Sequence, residues 1–203
     1  MITINGYQVN TKLYESSNSI VYRGIRDNDH QSVIIKVLKQ DYPTESELTR
    51  YKQEYQLIHS LNFTGVIKAY DLHKYQNTLI ITFEDFGGDS LTNWLTKRQF
   101  TLEEFLRLAL QITDSLGAIH GVNIIHKDIN PSNIIYNPDT GEIKLIDFGI
   151  STQLLRETPT LKNPHVLEGT LAYISPEQTG RMNRCLDYRT DFYSLGITFY
   201  ELL

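Results

Sequence analysis

A chain of 203 residues, 40% hydrophobic and 21% charged, carries enough apolar material to bury one or two cores and too little charge to remain unfolded. Its 19 Lys and Arg against 24 Asp and Glu leave a net charge of -5 and no cationic cluster of the kind a nucleic-acid backbone demands, which excludes nucleic acid as a partner. No apolar run reaches the length of a membrane span, the start MITINGYQVNTK lacks the basic and apolar regions of a signal peptide, and Cys185 has no second cysteine to pair with, all of which point to the cytoplasm.

Neither an internal repeat nor a low-complexity tract interrupts the chain. Residues 7 to 39 read as three strands, YQVNTKLY, IVYRGIR and SVIIKVLK, with RDNDHQ as a hairpin loop. The period then lengthens. Pro43-Thr44 opens a helix from Glu45 to Ser60, in which Leu48, Tyr51, Tyr55 and Ile58 recur at steps of three and four. Two more strands are expected near Val66 to Leu72 and Thr78 to Phe83, and Gly87-Gly88 marks a hinge. Beyond it SLTNWLTKR is helical. Leu102 to His120 forms a longer helix with an apolar stripe of Phe105, Leu108, Ala109, Ile112, Leu116 and Ile119. Asn133 to Tyr136 and Glu142 to Ile146 form a hairpin around a turn with Pro138 and Gly141, and a last helix begins near Asp191. The change of pattern divides the chain into domains 1–86 and 87–203.

The hairpin joins two loops that carry chemistry. HKDINPSN, residues 126 to 133, supplies Asp128 as a candidate proton acceptor and Asn133 as a neutral oxygen ligand, and DFG, residues 147 to 149, supplies the carboxylate of Asp147. Magnesium bridging phosphate oxygens needs only one or two protein oxygens, so Asn133 and Asp147 suffice as a metal site. Lys36 is the one charge in VIIKVLK before Lys39, on a strand apolar on both faces, and a buried ammonium requires an anionic partner. Glu54, inside the first helix, is the candidate; Glu45 and Glu47 lie nearer the helix start, where they favour its dipole.

These motifs, in this order, resemble those of eukaryotic-like serine/threonine protein kinases along essentially the whole chain. The resemblance implies an α+β, two-lobed fold: a small antiparallel-sheet N-lobe with one helix, and a mainly helical C-lobe truncated in its central helix. It implies Asp128 as the base for the acceptor hydroxyl, Lys36 aligned by Glu54 on the α- and β-phosphates of ATP, and Mg²⁺ on Asn133 and Asp147. It further implies that the backbone from Phe83 to Phe86, with Glu84 and Phe86, meets adenine. Thr170 in GTLAYISPE would steady Asp128, and Asp191 in DFYSLG would anchor the backbone near His126.

Three departures stand out. Aligned on Val21, the nucleotide-covering loop has Tyr14, Ser16 and Ser19 where the family has glycine, which implies a stiffer loop and weaker ATP affinity; the hydroxyls of Ser16 and Ser19 can still donate to phosphate. Lys127 replaces an Arg and loses a bidentate grip on a phosphorylated loop. Asn130 stands where the family has a Lys facing the γ-phosphate, so turnover should be slow and Asn130→Lys should raise it.

The function expected is ATP- and Mg-dependent phosphoryl transfer to Ser/Thr hydroxyls of proteins, in signal transduction. The alternative is a nucleotide-binding, pseudokinase-like scaffold of a larger sensor. LYESSNSIVYRG, HKDINPSNIIYN and GTLAYISPEQTGRMNR also resemble the kinase region of multidomain cyanobacterial sensor proteins, which implies further attached domains. Residues 1–203 alone are then expected to be poorly stable and nearly inactive, with Glu177 lacking an Arg partner and Phe192, Leu195, Phe199, Tyr200 and Leu203 lacking a cover.

Overall fold

The computed structural model describes residues 3–39, 42–153, 168–180 and 186–203; Cys185 lies outside them. Contacts divide the chain into two compact units, Met1–Asn62 with Ile67–Gly87, and Phe63–Val66 with Gly88–Leu203. Together they give the expected α+β class, an antiparallel sheet with a helix in the first and mainly helices in the second.

In the first unit, β1 (Tyr7–Glu15), β2 (Ser19–Arg26), β3 (Ser32–Leu38), β4 (Ala69–Tyr75) and β5 (Thr78–Glu84) form one antiparallel sheet of order β1-β2-β3-β5-β4. Period-two alternation makes β3 half-buried: Val33, Ile35 and Val37 enter the core with Ile80, whereas Ile34 and Lys36 lie on the half-buried face. The expectation of a strand enclosed on both faces is thus corrected. Helix α1 (Glu45–Ser60) lies between β3 and the β4–β5 hairpin. Thr44 caps it, its hydroxyl accepting from Glu47 N–H while Glu47 reaches back to the Thr44 N–H, and Tyr51, Glu54 and Ile58 form its buried face.

The second unit contains α2 (Leu91–Lys97), α3 (Leu102–Gly121) and α4 (Arg189–Leu202). A small sheet combines β6 (Asp89–Ser90), β8 (Ile134–Asn137) and β9 (Glu142–Leu145), and β7 (Ile124–Ile125) pairs with β10 (Thr152–Gln153). Phe105, Leu108, Ile112, Leu116 and Ile119 are all buried along α3, as its 3.6-residue period requires. Thr101 and Glu104 form a capping box at its start. The Arg98 guanidinium, and then the Thr101 N–H, hold the Glu104 carboxyl down at about 2.

One strand starts later than its hydropathy suggests. β4 begins at Ala69, and Val66 instead bridges Leu145 in parallel, with Leu145 N–H donating to Gly65 C=O at 2.8 Å. The apolar Val66 is buried by β9 rather than by the five-stranded sheet, so Phe63–Val66 belongs to the second unit. Gly65 permits the approach: a Cβ there would lie 1.7 Å from Ser115 Oγ and 2.6 Å from Ser115 Cβ on α3. Gly65→Ala is expected to lower stability by about 1–3 kcal/mol, the usual cost of overpacking. Adding Ser115→Gly should recover most of it, which denaturant titration of the single and double variants measures.

Among the described residues, no helix is long and apolar enough to cross a membrane. Much of the apolar surface expected to lack a cover on α4 is exposed, and polar side chains make up most of the helix's buried side. Thr190, Asp191, Ser194 and Thr198 are buried beside Leu195 and Leu202, while Phe192, Tyr193, Tyr200 and Leu203 are exposed.

Candidate active site

In the first unit, Lys36 Nζ donates to Glu54 Oε1 at 2.6 Å, with the two side chains 14% and 4% exposed. Strand β3 and helix α1 supply one partner each. Tyr51, one turn before Glu54, fastens the two elements again through its hydroxyl, which donates to the Lys36 carbonyl at 2.7 Å. Val21 lies directly across from Lys36 in the β2–β3 register.

The turn between β1 and β2 explains how it dispenses with glycine. Ser16 N–H donates to Ser19 C=O at 2.9 Å, Ser19 N–H donates to Ser16 Oγ at 3.0 Å, and Asn18 N–H reaches the same hydroxyl at 3.2 Å. No residue of this turn has positive φ, so a Cβ is tolerated throughout. The Ser16 hydroxyl accepts these bonds and lies within 3.2 Å of both Ser19 O and Ser19 Oγ. It serves the turn itself, a role the sequence reading did not give it. At the end of β1, Lys39, then Lys12, hold Glu15 at about 2, which ties β1 to the residue following β3.

The segment expected to meet adenine is anchored by a residue not singled out from sequence. Asp85 pairs with Arg23 Nε at 2.7 Å and accepts from Ser32 Oγ at 2.7 Å and Gly87 N–H at 3.2 Å. It thereby fixes the backbone on both sides of Phe86 to β2 and β3. The Glu84 carboxylate takes the Lys68 N–H at 2.8 Å.

In the second unit the HKDINPSN loop runs from β7 to β8. Asp191, fully buried at the start of α4, accepts from His126 N–H at 2.8 Å and Lys127 N–H at 2.7 Å, with His120 Nε2 at 2.8 Å. The His126 ring is buried as well. Its Nδ1 accepts from Asp128 N–H at 3.3 Å, which places the ring proton on Nε2 for the Ile146 carbonyl at 3.1 Å. Ile146 N–H in turn donates to Asn133 C=O at 3.0 Å. The peptide preceding Asp147 is therefore held by the loop that bears Asp128 and Asn133. Asp147 is exposed at φ +61°, and Phe148 is buried, edge-on to His126 with ring centroids 4.7 Å apart.

Asp128 is half-buried and oriented on both oxygens. Oδ1 accepts from Thr170 N–H at 2.9 Å and from Asn130 Nδ2 at 3.1 Å, and Oδ2 accepts from Asn133 Nδ2 at 2.8 Å. Asn130, 2% exposed, also caps the short turn Pro131–Asn133 by accepting from Ser132 N–H at 2.9 Å, and lies 3.3 Å from Thr170 Oγ1. Lys127 is buried, its Nζ donating to Thr152 Oγ1. Because the Asn133 amide group is turned to Asp128, its carbonyl oxygen faces away from that carboxylate. A hard cation takes such an oxygen together with a carboxylate, so Asn133 and Asp147 fit a magnesium ion by donor type.

The segment after Gly169 is fastened to α4. Ser194 Oγ donates to Tyr173 C=O at 2.7 Å, Thr190 Oγ1 donates to Glu177 at 3.0 Å, and Tyr173 OH donates to Glu201. Burial, and then the Glu201 carboxylate, push the Tyr173 phenol well above its ordinary range. Glu177 is half-buried rather than buried as expected, and accepts from Thr190. From sequence, Tyr51 registered only as a core aromatic, and Asp85 and Gln178 not at all. A polar residue beside a motif, as Asp85 is beside Gly87 and Gln178 beside SPE, is the one signal that could have drawn attention to them.

The family model for the protein kinase domain matches residues 7–203. The chain is 31% identical over 199 residues to the serine/threonine-protein kinase PknL of Mycobacterium tuberculosis, covering 97% of this chain and 49% of that protein. It is 32% identical over 175 residues to the serine/threonine-protein kinase PrkC of Bacillus subtilis, covering 85% of this chain and 26% of that protein. The chain belongs to the protein kinase family, in its eukaryotic-like serine/threonine class, whose members use ATP and a divalent metal. It spans about half or less of the length of these relatives.

Proposed function

We propose that this chain transfers the γ-phosphoryl group of ATP to Ser or Thr hydroxyls of protein substrates, in signal transduction. The observation that carries this reading is the Asp128 carboxylate, aimed by Asn133, Asn130 and Thr170, on the loop that also holds the peptide before Asp147. Asp128 takes the proton of the acceptor hydroxyl as its oxygen bonds to the γ-phosphorus, and the bond to the ADP oxygen breaks. Lys36, kept in place by Glu54 and Tyr51, binds the α- and β-phosphates. Asn133 and Asp147 would hold Mg²⁺, which when bound neutralises phosphate charge. The backbone at Glu84 and Phe86 takes the adenine, and Ser16, Ser19 and Val21 cover the nucleotide.

The scaffold alternative rested on the glycine-free loop and on Asn130. Against it stand a β1–β2 turn that needs no glycine and an Asn130 that contacts Asp128 directly. The segments LYESSNSIVYRG, HKDINPSNIIYN and GTLAYISPEQTGRMNR support a narrower reading, the kinase region of a larger cyanobacterial sensor protein.

Incubation with γ-labelled ATP, Mg²⁺ and a generic Ser/Thr substrate should place label on the substrate or on the chain itself. No Mg-dependent label on either would overturn the proposal. Glu54→Gln should lower kcat/KM for ATP by about ten- to a hundredfold, the loss of a charge-assisted hydrogen bond of about 1.5–3 kcal/mol. Unchanged kcat/KM would remove the Lys36–Glu54 pair from nucleotide binding.

A further inference from the structure

Lys127, immediately before Asp128, has φ +68°, a left-handed backbone that a residue with a Cβ keeps only where its surroundings enforce it. Both amide groups of this residue are held by side chains from far along the sequence. Its N–H donates to Asp191 Oδ1 at 2.7 Å, and its C=O accepts from Gln178 Nε2 at 2.9 Å. Gln178 has no choice of orientation, because its Oε1 accepts the Ser175 N–H at 2.9 Å, which leaves the amide nitrogen facing Lys127. Gly169 sits against the same carbonyl: a Cβ there would come within 3.2 Å of Lys127 O and 3.7 Å of Gln178 Nε2. The next residue, Thr170, donates its N–H to Asp128 Oδ1 at 2.9 Å.

We propose that Gln178 is a positioning residue for Asp128. By fixing the Lys127 carbonyl it sets the plane of the Lys127–Asp128 peptide, and with it the direction in which the Asp128 carboxylate leaves the backbone. The same carboxamide joins that peptide to the turn at Ser175, so the base and the segment from Gly169 to Thr179 are kept in one register. The inference rests on the kinase reading above, since it names what aims the base of that reaction.

Two variants separate this role from a purely structural one. Gln178→Glu keeps an acceptor for the Ser175 N–H but confronts the Lys127 carbonyl with a carboxylate oxygen. Gln178→Met keeps the shape and loses both bonds. If Gln178 only capped the Ser175 turn, the Glu variant would be nearly unchanged and the Met variant impaired. If it positions Asp128, kcat falls about tenfold in both, as expected for one lost orienting hydrogen bond, with the Glu variant at least as slow as the Met variant and KM for ATP unchanged in each. Rates of transfer to a generic Ser/Thr substrate, measured well below the melting temperature of each variant and against an Asp128→Asn background, decide between these outcomes. A Glu variant at the wild-type rate, or a loss confined to KM, overturns the positioning role while leaving the kinase reading in place. Absence of any Asp128-dependent transfer in the unaltered chain overturns both.

Discussion

Asp128→Asn is expected to reduce phosphoryl transfer by about 10²- to 10⁴-fold, the range removed with a general base, while ATP binding changes little. Two effects combine. An amide cannot accept the hydroxyl proton at neutral pH, and it offers one oxygen where Asp128 offers two. Thr170 N–H and Asn130 Nδ2 converge on Oδ1, and Asn133 Nδ2 on Oδ2. Whichever way the new amide turns, its own NH₂ faces a donor, so the loop loses part of its orientation as well as its base. Both losses fall on the chemical step rather than on ground-state binding. Single-turnover transfer combined with equilibrium binding of a fluorescent ATP analogue tests this, and a variant as fast as the parent would take Asp128 out of the mechanism.

Asp191→Ala should unfold or nearly unfold the second unit. The carboxylate is fully buried and serves the N–H groups of His126 and Lys127, with His120 beside it. Each buried donor left unsatisfied costs about 1–3 kcal/mol, and domain stabilities are only about 5–15 kcal/mol. The left-handed Lys127 would also lose the bond on its N–H side. Asp191→Asn keeps one carbonyl acceptor and should fall between the parent and the Ala variant. Urea denaturation followed by circular dichroism is the measurement; a midpoint for Asp191→Ala equal to that of the parent would show that other groups hold the catalytic loop.

Regular elements were legible where polar turns bound them or an apolar stripe marks one face. Runs of strand-forming residues between turn residues revealed β1 to β3, and the stripe from Phe105 to Ile119 revealed α3, whose buried side follows hydropathy. Hydropathy says less where hydrogen bonding decides burial. On α4, Ser194 and Thr198 are buried because their hydroxyls satisfy carbonyl groups of Tyr173 and Ile129, whereas the more apolar Phe192 and Tyr200 remain exposed. Hydropathy could not place Val66 either, since a bridge to Leu145 depends on a pairing distant in sequence.

At the site, Asp128, Asn133 and Asp147 were legible from motif order, and Lys36 with Glu54 from the oddity of a charge inside an apolar strand. Their supports were not. Tyr51, Asp85 and Gln178 act by contacting main-chain or partner atoms that only the folded chain brings near. Asn130 read as a missing cation, yet its amide donates to Asp128 and its carbonyl caps a turn.

Phe63–Val66 has a practical implication for anyone dissecting this protein. The polypeptide passes between its two units at residues 62/63, 66/67 and 87/88, so no single cut yields two intact pieces. A fragment ending at Gly87 takes the four residues with it, and one beginning at Gly88 leaves the Leu145 N–H without the Gly65 carbonyl it uses. Split-protein reassembly, circular permutation or exchange of the first unit between relatives would therefore succeed more readily if the Phe63–Val66 sequence travelled with the second unit, supplied as a short added strand.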